Sequence, residues 1–147
     1  MSLKDRIQQD VKDAMRARDR ERLATIRLIT AAIKQREVDE RIELDDTQVT
    51  AVLDKMAKQR RESIAQFEKA GRDDLIARET AELEIINTYL PEPLSESELQ
   101  ALIDEAMAQT GAATLSDMGK LMGVLKPKLQ GRADMAAVSA MIKARLG

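Results

Sequence analysis

The stretch GKLMGVLKPKLQGRAD, residues 119–134, contains the residues of this chain that are best suited to contact an anion. At helical spacing Gly119 and Gly123 fall on one face, and Lys126 lies beside them. Arg132 precedes a further predicted helix, whose N-terminal end carries partial positive charge. These residue types and this spacing indicate a surface that can lie against a negatively charged partner.

The two glycines on one helix face require an explanation, because glycine inside a helix costs about 1 kcal/mol relative to alanine. One explanation is the close approach of two helices inside a small bundle. The other is the close approach of an external backbone, with Lys126 beside it to meet a phosphate. The two are compatible, since one glycine can pack inward while the other remains accessible. Pro127 is predicted to end this helix and to project Lys128.

The charge of the chain is unevenly distributed along its last third. The whole chain has a net charge of −2. Residues 91–118 carry six acids and no base, whereas residues 119–147 carry six bases and one acid, a net charge of +5. An anionic partner is therefore expected to meet the final 29 residues.

Several classes of chemistry are excluded by composition. The chain has no cysteine and no histidine, which removes disulfides, thiolate chemistry, the commonest general base and the commonest metal ligand. No phosphate-binding loop of the form G-x-x-x-x-G-K-[ST] is present. Ser2, Ser95 and Ser116 lie at predicted helix starts, where capping explains them. We predict no catalytic residue, no metal site and no cofactor.

Arg27 is the only charged residue between Leu23 and Ile33. Two explanations are open for it. The first is an ion pair at the edge of the N-terminal core, with Glu79 or Glu82 as the partner. The second is a role in binding a ligand or in docking a domain.

Every periodic segment of the chain is typical of a helix, and no alternating run of β-branched residues is present. We therefore predict an all-α protein with an aliphatic core, since the chain has one Phe, one Tyr and no Trp. Residues 1–90 are predicted to form a four-helix domain. The LPEP break is predicted to act as a hinge, and residues 91–147 to form a small three-helix bundle. The N-terminus has no apolar run and no membrane span is found, so a cytosolic protein is expected.

Four stretches closely resemble the GatB/YqeY family, namely RLATIRLITAAIKQREVDER, YLPEPLSESEL, MGKLMGVLKPKLQGRAD and VSAMIKARL. The resemblance covers essentially the whole chain and is strongest to stand-alone YqeY-like members. The C-terminal part is similar to the tail domain of the B subunit of glutamyl/aspartyl-tRNA amidotransferase. In that enzyme the tail is a helical module that holds the tRNA body, and the chemistry lies in other domains and subunits. The resemblance implies RNA contacts at Gly119, Lys120, Gly123, Lys126, Lys128, Gly131 and Arg132.

Three hypotheses of function follow. The first is a non-catalytic module associated with tRNA or another structured RNA, which it recognises through backbone and shape because the chain has almost no aromatic residues for stacking bases. The second is a protein–protein adaptor that docks on an amidotransferase or translation component. The third is a carbon–nitrogen ligase association with glutamine as amido donor. The third is implied by the family alone, and no catalytic machinery for it is visible in the sequence.

Overall fold

The computed structural model describes residues 1–129 and 132–146. Over these residues the chain forms seven α-helices and one short 3-10 turn, with no strand. The prediction of an all-α protein is confirmed. The chain divides into two compact units, Met1–Leu90 and Pro91–Gly147. No helix in the described ranges is both long enough and apolar enough to cross a membrane.

The N-terminal unit consists of four helices, α1 (Leu3–Ala17), α2 (Arg20–Glu40), α3 (Asp46–Ala70) and α4 (Asp73–Asn87). The first three begin at side-chain caps. The Ser2 hydroxyl accepts from the backbone N–H of Asp5, and Asp19 and Asp45 cap the next two helices in the same way. Such caps satisfy N–H groups that have no partner inside the helix.

The core of the N-terminal unit is aliphatic, as the composition predicts. Its fully buried side chains come from all four helices, and they are Ile7, Ile26, Ile29, Val49, Leu53 and Ile86. The single tyrosine, Tyr89, is also buried and closes the C-terminal end of this unit. Its hydroxyl donates to the Asp10 carboxylate at 2.6 Å, so the end of the unit is tied to α1.

The C-terminal unit consists of α5 (Glu96–Thr110), a 3-10 turn (Leu115–Asp117), α6 (Met118–Leu129) and α7 (Met135–Leu146). Helix α5 begins with a capping box, in which Ser95 and Glu98 bond reciprocally. A second aliphatic core fills this unit. Its fully buried side chains are Ile103, Leu121, Leu125, Leu129, Val138 and Ile142.

The structure corrects the predicted end of α6. The helix does not stop at Pro127 but continues to Leu129. Leu129 is fully buried in the core of the C-terminal unit, and burying a leucine contributes about 1.5–3 kcal/mol. That gain is comparable with the cost of about 3 kcal/mol for proline in a helix interior. The helix therefore extends past the proline to place one more leucine in the core.

Candidate nucleic-acid interface

The start of α6 is fixed by the carboxylate of Asp117. Its Oδ2 accepts from the backbone N–H groups of Ala113 at 3.0 Å and Thr114 at 3.2 Å. These backbone hydrogen bonds hold the pKa of Asp117 below its ordinary value, because they stabilise the ionised form. These bonds stabilise the turn that immediately precedes α6, the helix that carries the candidate site.

The inward and outward faces of α6 differ in side-chain size. Leu121, Leu125 and Leu129 are fully buried on one side. At 100° per residue, Gly119, Gly123 and Pro127 fall on the opposite side, one above the other at intervals of four. All three are exposed. The outward face of α6 is therefore a ridge without long side chains, on which the helix backbone is accessible.

The space around the two glycines decides between the explanations given for them. A Cβ atom built on Gly119 or Gly123 would have no atom within 4 Å outside the helix backbone. No neighbouring helix in the described part of the chain comes close to these positions. The explanation by close helix–helix approach inside the bundle is therefore wrong, and the face stays open to an external partner.

Two lysines flank this ridge on α6. On the helical wheel Lys126 lies on one side of the two glycines and Lys120 on the other, about 120° apart. Lys128 lies further round, near the C-terminal end. All three are exposed, and none forms an ion pair with another described residue. The charges of Lys126 and Lys128 are available to an external anion, whereas that of Lys120 also helps to lower the pKa of Asp117.

Arg132 is held in place by contacts with the segment that leads into α5. Its Nε donates to the carbonyl oxygen of Glu92 at 3.1 Å. Its own carbonyl oxygen accepts from the N–H of Leu94 at 2.9 Å. Arg132 is partly buried by these contacts and lies just before α7. Gly131, the remaining member of the predicted set, lies outside the described residues.

The N-terminus of α7 is capped by Asp134, whose carboxylate accepts from the N–H of Ala136 at 3.1 Å. Nearer the C-terminus of α7, Arg145 forms an ion pair with Asp104 of α5. Of the six bases in residues 119–147, Arg145 is therefore already paired within the unit. Lys143 is exposed.

The predicted ion pair of Arg27 is wrong. The two glutamates named as its partners bind Arg60 of α3 instead, at 3.1 Å for Glu82 and 3.8 Å for Glu79. Arg27 is exposed, and its Nη2 lies 4.0 Å from the sulfur of Met15. Arg60 could not be identified from the sequence as the partner of these glutamates. Helix α3 is rich in charged residues, and the local pattern does not distinguish this arginine from the others.

Sequence reasoning also missed Pro127 as part of the outward face. Gly119, Gly123 and Pro127 are four residues apart, so a helix continued through Pro127 would place the proline on the same face as the two glycines. No group of three or more acidic, histidine or cysteine side chains in the described ranges is arranged to hold a metal ion. The arrangement on α6 can bind an anionic backbone through lysine side chains beside an accessible helix surface.

A family model described as "Yqey-like protein" matches residues 4–146. The chain belongs to the YqeY-like family. The match covers both units of the structure. The resemblance proposed from the sequence is confirmed.

Relatives with curated names add to this assignment. The chain is similar to proteins named "Altered inheritance of mitochondria protein 41, mitochondrial". It is 37% identical to the Eremothecium gossypii protein over 135 residues, which span 90% of this chain and 70% of the relative. It is 32% identical to the Pyrenophora tritici-repentis protein over 145 residues, which span 97% and 80%. The Lachancea thermotolerans protein is 37% identical over 106 residues, which span 70% and 57%.

These names contradict the cytosolic location expected from the sequence. The relatives of this YqeY-like chain are named as mitochondrial proteins. The expectation rested on the lack of an apolar run at the N-terminus, and such a run marks secretory signal peptides only. Mitochondrial leaders are amphipathic and basic, so the criterion does not detect them. The prediction of a cytosolic location was therefore wrong.

Proposed function

We propose that this YqeY-like chain is a non-catalytic module that holds a structured RNA of the tRNA type through the outward face of α6. The observation that carries the proposal is the accessible ridge of Gly119, Gly123 and Pro127 with unpaired lysines beside it. A ridge without long side chains lets a sugar–phosphate backbone approach the helix closely. Lysines on both sides of it can then neutralise phosphates.

The proposed mode of recognition is of RNA shape and backbone. The C-terminal unit, which carries the ridge, contains no aromatic residue, because the only Tyr and the only Phe of the chain lie in the N-terminal unit. Stacking of splayed bases requires aromatic platforms. A folded RNA with closely spaced phosphates, as in tRNA, is the nucleic acid that such a surface fits best.

The test is an anisotropy titration of labelled tRNA with the full chain at several salt concentrations. Three or four phosphate contacts predict that log K falls with log salt at a slope of roughly −2 to −4. The paired substitution Lys126→Glu with Lys128→Glu should abolish binding and leave the circular dichroism spectrum unchanged, because both side chains are exposed.

The matched control is Lys55→Glu with Lys58→Glu, a charge reversal of equal size at exposed positions of α3. This variant should bind tRNA like the wild type. Equal loss in both variants would show that net charge alone governs binding, and binding no tighter than to a polyanion such as heparin would overturn the proposal. In either case the adaptor hypothesis would stand in its place.

A further inference from the structure

Helix α2 has two apolar faces, and only one of them is used by the core. Ile26, Ile29 and Ile33 are buried among the other helices of the N-terminal unit. On the opposite side Leu28 is 45% exposed and Val38 is 60% exposed. A helix on the surface of a unit normally carries polar residues on its outer side. Packing within the N-terminal unit therefore does not explain the exposed apolar residues on the outer side of α2.

The outer residues follow the spacing of a coiled-coil seam. Counted along α2 and just past its end, the intervals are four, three, four, three and four. The positions are Ala24, Leu28, Ala31, Gln35, Val38 and Ile42. All six are exposed, and four of them have larger side chains than alanine. This alternation of three and four is what a helix needs to pack lengthwise against another helix.

A row of bases runs beside this seam. Arg20, Arg27, Lys34 and Arg41 follow one another at intervals of seven, so in coiled-coil terms they occupy one flanking position throughout. All four are exposed, and none forms an ion pair with another described residue. Arg41 caps the C-terminus of α2, so the row spans the entire helix.

The opposite flank of the seam carries no base and two acids. It holds Thr25, Ala32 and Asp39, and the Asp39 carboxylate accepts from the Gln35 amide at 2.9 Å. Glu21, near the start of the helix, lies on the same side at 100° per residue. The face thus carries four bases along one edge and two acids, Glu21 and Asp39, along the other.

This asymmetry argues against a second copy of the chain as the occupant. In an antiparallel pair of identical helices the basic row of one copy would face the basic row of the other. In a parallel pair three of the four bases would face Thr25, Ala32 and Asp39. Only Asp39 would supply an opposite charge. A partner helix with acidic residues along its edge satisfies the whole row.

We propose that the outer face of α2 binds an amphipathic helix of a partner protein, with its apolar residues on the seam and a row of Asp or Glu against the four bases. The apolar seam favours a protein helix over RNA, because phosphate contacts need no exposed Leu28 or Val38. This surface lies on the N-terminal unit and is independent of the RNA face proposed for α6.

Two clefts border the seam and widen the surface. One of about 830 Å³ lies between the start of α2 and α4, and Arg20, Ala24 and Ala81 are among the residues lining it. The other, about 360 Å³, lies between α1 and α2 and is lined in part by Ala31 and Lys34. Alanines on the rims leave room for the larger side chains of a partner helix to insert beside the seam.

The test uses the full chain and a designed, fluorescein-labelled helical peptide with Leu at the two seam positions and Glu at both flanking positions. A second peptide of the same design carries Lys at the flanking positions. Anisotropy titrations should show that the acidic peptide binds at least about tenfold more tightly than the basic one, because only the acidic peptide complements the row. Raising the salt concentration should weaken its binding.

Two variants of the chain locate the interaction. Arg27→Glu with Lys34→Glu should weaken acidic-peptide binding about tenfold or more, and Leu28→Ser with Val38→Ser should weaken it by removing the seam. All four positions are exposed, so the fold should be retained. The matched controls are Lys58→Glu with Arg61→Glu for charge and Leu115→Ser for an exposed apolar residue, and both should bind as the wild type does.

Several results would overturn the proposal. The first is acidic-peptide binding no tighter than basic-peptide binding, and the second is equal loss of binding in the control variants. A dimer in sedimentation that Leu28→Ser with Val38→Ser dissolves would identify a second copy as the occupant. Loss of tRNA binding in Arg27→Glu with Lys34→Glu, with peptide binding unchanged, would identify RNA. The Lys126→Glu with Lys128→Glu variant should keep its peptide binding, so the outcomes for α2 and α6 are separable.

Discussion

At the scale of single residues, Gly119 and Gly123 have a conformational cost that no packing inside the C-terminal unit offsets. Both have helical backbone geometry, and a Cβ atom at either position would meet open space. The unit would therefore be more stable with alanine at these positions. The close approach of an external backbone, as we propose for RNA, would explain why glycine stands at these two positions.

The double substitution Gly119→Ala with Gly123→Ala should stabilise the C-terminal unit. Each change removes a penalty of about 1 kcal/mol, so the melting temperature followed by circular dichroism should rise by several degrees. The same variant should bind tRNA more weakly, because two methyl groups then stand on the ridge. Lower stability would contradict the open-face geometry, and unchanged tRNA binding would limit the RNA contacts to the lysines.

The arginines show what residue-level sequence reasoning can and cannot predict. Arg27 stands out in the sequence because its neighbours are apolar, yet it is exposed, since α2 has two apolar faces and periodicity does not say which one turns inward. Arg60 binds Glu79 and Glu82, which lie on the next helix. The prediction paired these glutamates with Arg27, and it was wrong because residues so far apart in sequence give no local pattern that identifies the partner.

At the scale of elements, helix starts were predictable because capping depends on residues three positions apart. Ser2 and Ser95, two of the three serines expected at helix starts, do cap helices. Ser116 does not, because it lies inside the 3-10 turn, where its hydroxyl bonds to that of Thr114 at 2.7 Å. The end of α6 was not predictable, because the helix passes Pro127 only in order to bury Leu129. A local rule about proline is overridden there by packing across the unit.

The turn before α6 should become less stable in acid. The pKa of Asp117 is lowered by hydrogen bonds from Ala113 and Thr114, so its ionised form contributes stability above the ordinary pKa of 3.8. That contribution is lost as the pH falls through the lower pKa of the folded state. Asp117→Asn should therefore be less stable than wild type at neutral pH.

The difference in melting temperature between wild type and Asp117→Asn should shrink when the scans are repeated below pH 3.8. Asp104→Asn is a useful comparison, because Asp104 is bound by Arg145 on α7 and not by backbone N–H groups. A gap between wild type and Asp117→Asn that stays constant with pH would mean that the carboxylate charge does not stabilise the turn.

At the scale of the whole molecule, composition and periodicity predicted the all-α class, and the resemblance of four stretches of sequence predicted the family. They could not reveal that α2 carries a second apolar face open to solvent, because burial depends on which helices pack together. The intervals of seven between Arg20, Arg27, Lys34 and Arg41 are visible in the sequence. Only the structure shows that all four side chains are exposed and can therefore contact a partner. Location could not be predicted from the N-terminal residues either.

Tyr89→Phe should destabilise the N-terminal unit alone. The change removes the 2.6 Å hydrogen bond to Asp10 and should cost about 1–2 kcal/mol. Arg6, which lies 5.0 Å from the ring centroid, keeps its aromatic partner in this variant. Hydrogen exchange followed by mass spectrometry should show faster exchange within residues 1–90, whereas equally faster exchange in residues 91–147 would mean that the two units unfold together.

The position of the single tyrosine also decides how the protein can be observed. With no tryptophan in the chain, near-ultraviolet absorbance and intrinsic fluorescence arise almost entirely from Tyr89, a buried side chain at the end of the N-terminal unit. These two signals therefore report on that unit, and the C-terminal unit is silent in both of them. A tryptophan introduced at the exposed Leu115, just before α6, would give the silent unit its own signal.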